Sequence, residues 1–269
     1  MITLDPGIRS PLVDMFRRGE ADPDVRLHAA RGALAPRALE QLALLMVLSA
    51  DPDVRVRDAA AQTIDRIPPP SLAAFLGRAE VPDAMRQWFA TREAWTPAPA
   101  GEVDPDAPLI DASADAAAAG DLAAALVDAK TEEEARQVLS LMTVLERLKL
   151  AMRGTREQRA VLVRDPNRMV AVAVMSSPKL SEPEVEAFAK MTTVGEEVLR
   201  IIGTNRAWTR NYTIALALAR NPKAPTAIAL QMVPRLTERD MKQIASDRNV
   251  PEPVRLSVRK FLIKTQRGG

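Results

Sequence analysis

The phrase "ADPDVR" stands at residues 21–26 and again at 50–55, and no other feature of the chain restricts its fold as much. An aspartate followed by proline is the chemistry of a helix start. The carboxylate accepts a backbone N–H as an N-cap, and proline at the first helical position forfeits no hydrogen bond, because that N–H is orphaned in any helix. Asp24 and Asp53 then complement the positive end of the helix dipole. Arg26 and Arg55, four residues after Asp22 and Asp51, are placed to pair with them. A looser copy, "AEVPDAMR", begins at Ala79, which stands as far beyond Ala50 as Ala50 does beyond Ala21. Helical stretches fill the intervals at 36–49 and 58–67, the second closed by Pro68-Pro69-Pro70. Two helices in each unit of about 30 residues is the pattern of a helical repeat array.

The amino-acid usage agrees with this reading. Hydrophobic residues make up 47% of the chain and aromatics 3%, so the apolar material is mostly Ala, Leu and Val. Small side chains of that kind suit closely packed helices, and strand-like alternation is hard to find. The chain is expected to be all-α.

From Thr96 the texture changes. Residues 96–121 are rich in Pro, Ala and Asp and offer no periodic apolar face, which predicts a flexible acidic linker. It divides an N-terminal acidic repeat domain (1–95) from a C-terminal basic one (122–269). Past the linker, Thr131 and Glu134 fit a capping box. Apolar residues then recur at Val138, Leu141, Met142, Leu145 and Leu148, and Gly154 is a C-terminal stop. Beyond it a longer period emerges. Arg164, Arg206 and Arg248 are evenly spaced, and in the register that superposes them Ala160, Ile202 and Ile244 also coincide. Val172, Ile214 and Leu256 fall in the same register, and so do Val174, Leu216 and Val258.

"ADPDVRVRDAA" and "RDPNRMVAVAVMSSPKLSEPEVEAFA" resemble HEAT-like and leucine-rich-repeat-variant α-solenoids, in which a phrase of this kind opens a helix. The part from about Met142 to Leu262 is also similar to an uncharacterised bacterial family of this type. The resemblance implies an α-solenoid of HEAT-like helical pairs in two arrays, and it carries no activity.

The net charge of +2 hides a division. Residues 1–140 hold 14 Lys and Arg against 23 Asp and Glu, whereas residues 141–269 hold 23 against 12. A basic half of this size points to an anionic partner. If equivalent positions stack, Arg164, Arg206 and Arg248 form a basic stripe, widened by Arg168, Lys179, Arg210 and Lys223. Guanidinium forks suit carboxylate or phosphate. Trp208, with Tyr212 four residues on, is placed to grip a peptide or stack on a base. The ordinary alternative is that the arginines serve helix ends and the aromatics fill the core.

Enzyme chemistry finds little support. There is no cysteine, and the single histidine, His28, aligns with Arg57 of the next copy and is expected at the surface. No glycine-rich phosphate loop, nucleophile elbow or metal-ligand spacing occurs, so neither a metal nor another cofactor is expected. The start of the chain does not read as a signal peptide, and the longest apolar run, Leu42–Leu48, is too short for a bilayer. A cytoplasmic, non-enzymatic scaffold for protein–protein interaction is the leading expectation, its basic solenoid surface binding an acidic protein surface or segment, with no membrane partner. Nucleic-acid binding through phosphate contacts on the basic half is the alternative, and docking of the acidic N-terminal domain on the basic one is a third possibility.

Overall fold

The computed structural model describes residues 4–35, 37–92, 109, 120–129 and 131–267. Most of the expected linker lies outside the described residues. Among the described residues every regular element is helical, and the architecture is an all-α solenoid of helical pairs. Chain contacts divide it into two compact units. Unit 1 is Met1–Arg159 with Ser176–Pro178, and unit 2 is Ala160–Met175 with Lys179–Gly269. By this division residues 122–159 group with the first unit.

Unit 1 opens with α1 (Pro11–Arg18), α2 (Pro23–Ala30), α3 (Ala38–Leu48), α4 (Val54–Asp65), α5 (Pro69–Leu76) and α6 (Asp83–Ala90). The repeated phrase starts α2 and α4 and its looser copy starts α6, so phrase-bearing helices alternate with α3 and α5. The proline triplet both closes α4 and opens α5, with Pro69 as its first residue. The apolar run Leu42–Leu48 is at most 3% exposed at any position. A helix apolar all round must lie in the middle, and α1, α2, α4 and α6 all pack on α3.

The phrase does more than start helices. Asp22 precedes α2, but its side chain makes no cap bond. Arg26 passes it by and donates from Nη1 to both carboxylate oxygens of Asp51, at 2.8 and 2.9 Å, in the next copy. The Asp51 side chain has no solvent exposure. Its Oδ1 also accepts the Asp53 N–H at 2.9 Å, and Asp53 in turn accepts the Arg55 N–H at 2.9 Å as the true cap of α4. Arg55 pairs with Asp53 at 2.8 Å. The expected pairs Arg26–Asp22 and Arg55–Asp51 are therefore corrected. Two successive Asx turns carry the chain round before the helix begins, and they point the first aspartate inward.

Three further helices belong to unit 1: α7 (Gly120–Asp128), α8 (Glu132–Leu141) and α9 (Val144–Arg153). The Thr131–Glu134 capping box forms as expected. The periodic run to Gly154 is not one helix, however. It breaks at Met142, and a second capping box, Thr143 with Glu146, starts α9. Leu141 is left 69% exposed at the break.

Glu40 is buried on α3. Its Oε1 accepts the Ser10 hydroxyl at 2.7 Å, and its Oε2 has no hydrogen-bond partner. Burial pushes its carboxyl above the usual glutamate range, against the opposing pull of Ser10 and Arg37. A carboxyl raised on folding binds its proton more tightly in the native state, so it weakens stability as pH rises above the unfolded-state value. Glu40→Gln is accordingly expected to stabilise unit 1 at neutral pH, and the gain should shrink as pH falls toward the ordinary glutamate range. Urea unfolding of both proteins across that pH range checks it, and a pH-independent difference contradicts it.

Unit 2 takes in the last turn of α10 (Arg156–Leu162), then α11 (Arg168–Met175), α12 (Glu182–Lys190), α13 (Glu196–Thr204), the short α14 (Arg206–Thr209) and α15 (Tyr212–Arg220). After these come α16 (Thr226–Met232) with a 3-10 turn at Val233–Arg235, α17 (Glu238–Ser246) and α18 (Glu252–Arg267). Helices α11, α13, α16 and α18 pack in succession as one row, while α10, α12, α15 and α17 alternate with them along the chain. The α13–α16 contact is close: a Cβ on Gly203 would stand 2.2 Å from Ile228 Cγ2. Helical pairs begin at Arg156, Glu182, Tyr212 and Glu238, so every step is shorter than the interval from Arg164 to Arg206.

Candidate interaction edge

Because the helices of unit 2 alternate between two rows through short connections, the outgoing connections gather along one edge and the returning ones along the opposite edge. The outgoing edge holds residues 163–167, 191–195, 221–225 and 247–251. The returning edge holds 179–181, 205–211 and 233–237. With the short α14 taken as part of its connection, the interval from Arg164 to Arg206, and again from Arg206 to Arg248, covers three helices, so each step changes edge. Arg164 and Arg248 lie on the outgoing edge and Arg206 on the returning one. The expected single stripe does not exist. Of the other candidates, Arg168 and Lys223 join the outgoing edge, and Lys179, Trp208 and Arg210 the returning edge.

The outgoing edge is built from the same device as the repeated phrase. Asp165 accepts the Asn167 N–H at 2.7 Å, Asn221 that of Lys223 at 2.9 Å, and Asp247 that of Asn249 at 3.0 Å. Asp165 and Asn221 are buried as Asp51 is. Asn221 also donates from Nδ2 to the carbonyls of Ala189 and Met191, at 2.8 and 3.0 Å, which ties α15 to the end of α12. Cations on this edge mostly have local work. Arg164 Nε donates to the Ala160 carbonyl at 3.2 Å, and Arg168 pairs with Glu197 at 3.2 Å. Arg220 leans toward Asp247 at 3.9 Å. Lys223 and Arg248 are exposed.

The returning edge differs. Hydrogen bonds stitch its three connections side by side. Asn211 donates from Nδ2 to Glu182 at 2.8 Å. The Tyr212 hydroxyl accepts the Thr237 N–H at 3.0 Å and donates to the Asp240 carboxylate. The carboxylates here are thus engaged by their neighbours, and Glu238 pairs with Lys242 at 2.5 Å. Arg206, Arg210, Arg235 and Arg239 are exposed, and none forms an ion pair among the described residues. Lys179 is exposed, and Trp208 is half-buried on α14, whose N-terminal N–H groups Asn205 caps.

Arg235 and Arg239 escape the longer period. They follow Arg206 and Arg210 respectively by the same interval that separates the copies of "ADPDVR". Tyr212, expected to grip a ligand beside Trp208, holds α15 to α17 instead. Its hydrogen bond, then that of Thr237, keeps the Asp240 carboxyl below the usual carboxylate range. A carboxyl lowered on folding adds stability that is present above the unfolded-state value and is lost as pH falls through the folded one. Tyr212→Phe should cost about 1 kcal/mol near neutral pH, and the difference should shrink in acid, where only the bond from the Thr237 N–H still favours the parent. Thermal unfolding at several pH values checks both parts.

His28 is half-buried, with Nδ1 3.0 Å from the Asp24 carbonyl. Among the described residues no group of three His, Cys, Asp or Glu is placed to hold a metal ion. No described helix is long and apolar enough to cross a membrane. Comparison of the chain with protein-family models, curated proteins and solved structures finds no match.

Proposed function

We propose that the chain is a non-enzymatic interaction scaffold that holds an acidic segment of a partner protein along the returning edge of unit 2. The observation that carries this reading is the pair of arginine pairs, Arg206 with Arg210 and Arg235 with Arg239. They stand exposed on adjacent connections and, for Arg239, on the first turn of α17, and the carboxylates beside them are already occupied. Neighbouring helices of a row lie about 8–10 Å apart. An extended segment, rising about 3.3 Å per residue, therefore passes one arginine pair and reaches the next within about three residues. Carboxylates at that spacing meet both pairs in bidentate geometry.

A nucleic acid fits the edge less well. Base stacking needs open, adaptable aromatic faces, and here Trp208 is half-buried while Tyr212, though 38% exposed, is fixed in place by its hydroxyl. Titration of labelled poly-L-glutamate and of a single-stranded DNA oligonucleotide against the full chain, at rising salt, separates the two readings. Poly-L-glutamate is expected to bind more tightly than DNA, and its binding to weaken as salt screens the arginines. DNA binding more tightly, or no polyglutamate binding at low salt, overturns the proposal.

A further inference from the structure

The row α11, α13, α16, α18 has an outer member whose free face is unlike the others. Val172 is the fifth residue of α11 and is 1% exposed, because α13 follows it in the row. Leu256 is the fifth residue of α18 and is 45% exposed, because no described helix lies beyond α18. Ile263, seven residues on and therefore on the same helical face, is 52% exposed. The inner face of α18 is ordinary core, with Val254 and Val258 fully buried.

From Leu256 to Lys264 the charge on the outer face has one sign. Lys260 lies between Leu256 and Ile263, Lys264 follows, and Arg259 stands beside them, donating to the Ala245 carbonyl at 2.9 Å. Lys260 and Lys264 are exposed and form no ion pair among the described residues. The carboxylate described on this helix, Glu252, sits at its start, where it complements the dipole.

We infer that the outer face of α18 docks an amphipathic, acidic helix of a partner protein, which takes the next place in the row. The occupant is a helix because two apolar positions seven apart match a single helical stripe. It is acidic because the cations flanking that stripe have no partner carboxylates among the described residues. A second copy of α18 would set lysines against lysines, which charge complementarity forbids. The inference is independent of the returning edge.

The test uses the full chain and two synthetic helical peptides with leucines at heptad spacing, one flanked by glutamates and the other by lysines. The glutamate peptide is expected to bind saturably and the lysine peptide not to bind. Leu256→Asp with Ile263→Asp should weaken the glutamate peptide at least about tenfold without changing the thermal midpoint, since both side chains are exposed. Arg206→Glu with Arg210→Glu should leave this affinity within about threefold of the parent. Equal binding of the two peptides, undiminished binding by the double aspartate variant, or a chain that dimerises alone and loses the dimer in that variant, overturns the inference.

Discussion

Arg26→Met is expected to destabilise unit 1 by about 3–5 kcal/mol, the range for breaking a buried ion pair from one side. Arg26 supplies both bonds to an aspartate whose side chain has no solvent exposure. Its removal leaves the Asp51 carboxylate with only the Asp53 N–H as a hydrogen-bond donor, while Arg57 stays bonded to the Asp51 carbonyl at 2.7 Å. The loss should not be shared evenly with the reverse change. Asp51→Asn keeps an acceptor for the Asp53 N–H, and Arg26 can reach water from its partly exposed position, so that variant should lose less. The double variant Arg26→Met with Asp51→Asn should recover part of the single loss, because no unpaired charge stays buried. Hydrogen exchange of the α2 and α4 amides, together with urea unfolding, reports the ranking. A loss under about 1 kcal/mol for Arg26→Met would place this pair with exposed salt bridges and contradict the account.

The second large effect is expected at Asn221. Asn221→Leu keeps a similar volume but removes both Nδ2 hydrogen bonds to Ala189 and Met191 and the acceptor for the Lys223 N–H. Each buried group left without a partner costs about 1–3 kcal/mol, so a loss of about 3 kcal/mol in unit 2 is expected. Asn221→Asp retains the turn acceptor, yet it sets a carboxylate against two carbonyls at a buried position and should cost at least as much. Asn221→Ser, which keeps one donor and one acceptor on a shorter side chain, should fall between these variants and the parent. Thermal unfolding resolves the series. If Asn221→Leu melts with the parent, the connection after α15 is not held as described.

What the sequence could reveal depended on whether the governing contact was local. Helix starts were legible because Asp-Pro and Thr-x-x-Glu act within a few residues of themselves, and the Thr131 box formed as expected. The break at Met142 was also written locally, as Thr143 with Glu146, but the unbroken apolar period from Val138 to Leu148 concealed it. The Arg26–Asp51 bond joins one copy of the phrase to the next, and no local rule can see a partner 25 residues away. The arginine ladder failed for a different reason. Apolar positions three helices apart, the short α14 aside, can agree in helical phase while belonging to opposite rows, as Val172 on α11 and Ile214 on α15 do. The longer register therefore aligned faces and mixed edges. The shorter interval legible in unit 1 pairs Arg206 with Arg235 and Arg210 with Arg239, and those residues do share an edge.

The most direct test of the returning edge is to move the same charge change between edges. One variant carries Arg206→Glu and Arg210→Glu, and the other Lys223→Glu and Arg248→Glu. Both alter net charge equally, so long-range attraction is matched and only the location differs. Binding of poly-L-glutamate to each full-length variant is then measured at constant salt. The returning-edge variant is expected to lose at least about tenfold in affinity, while the outgoing-edge variant stays within about threefold of the parent. Equal losses in the two, or a greater loss from Lys223 and Arg248, would contradict the assignment of the binding edge.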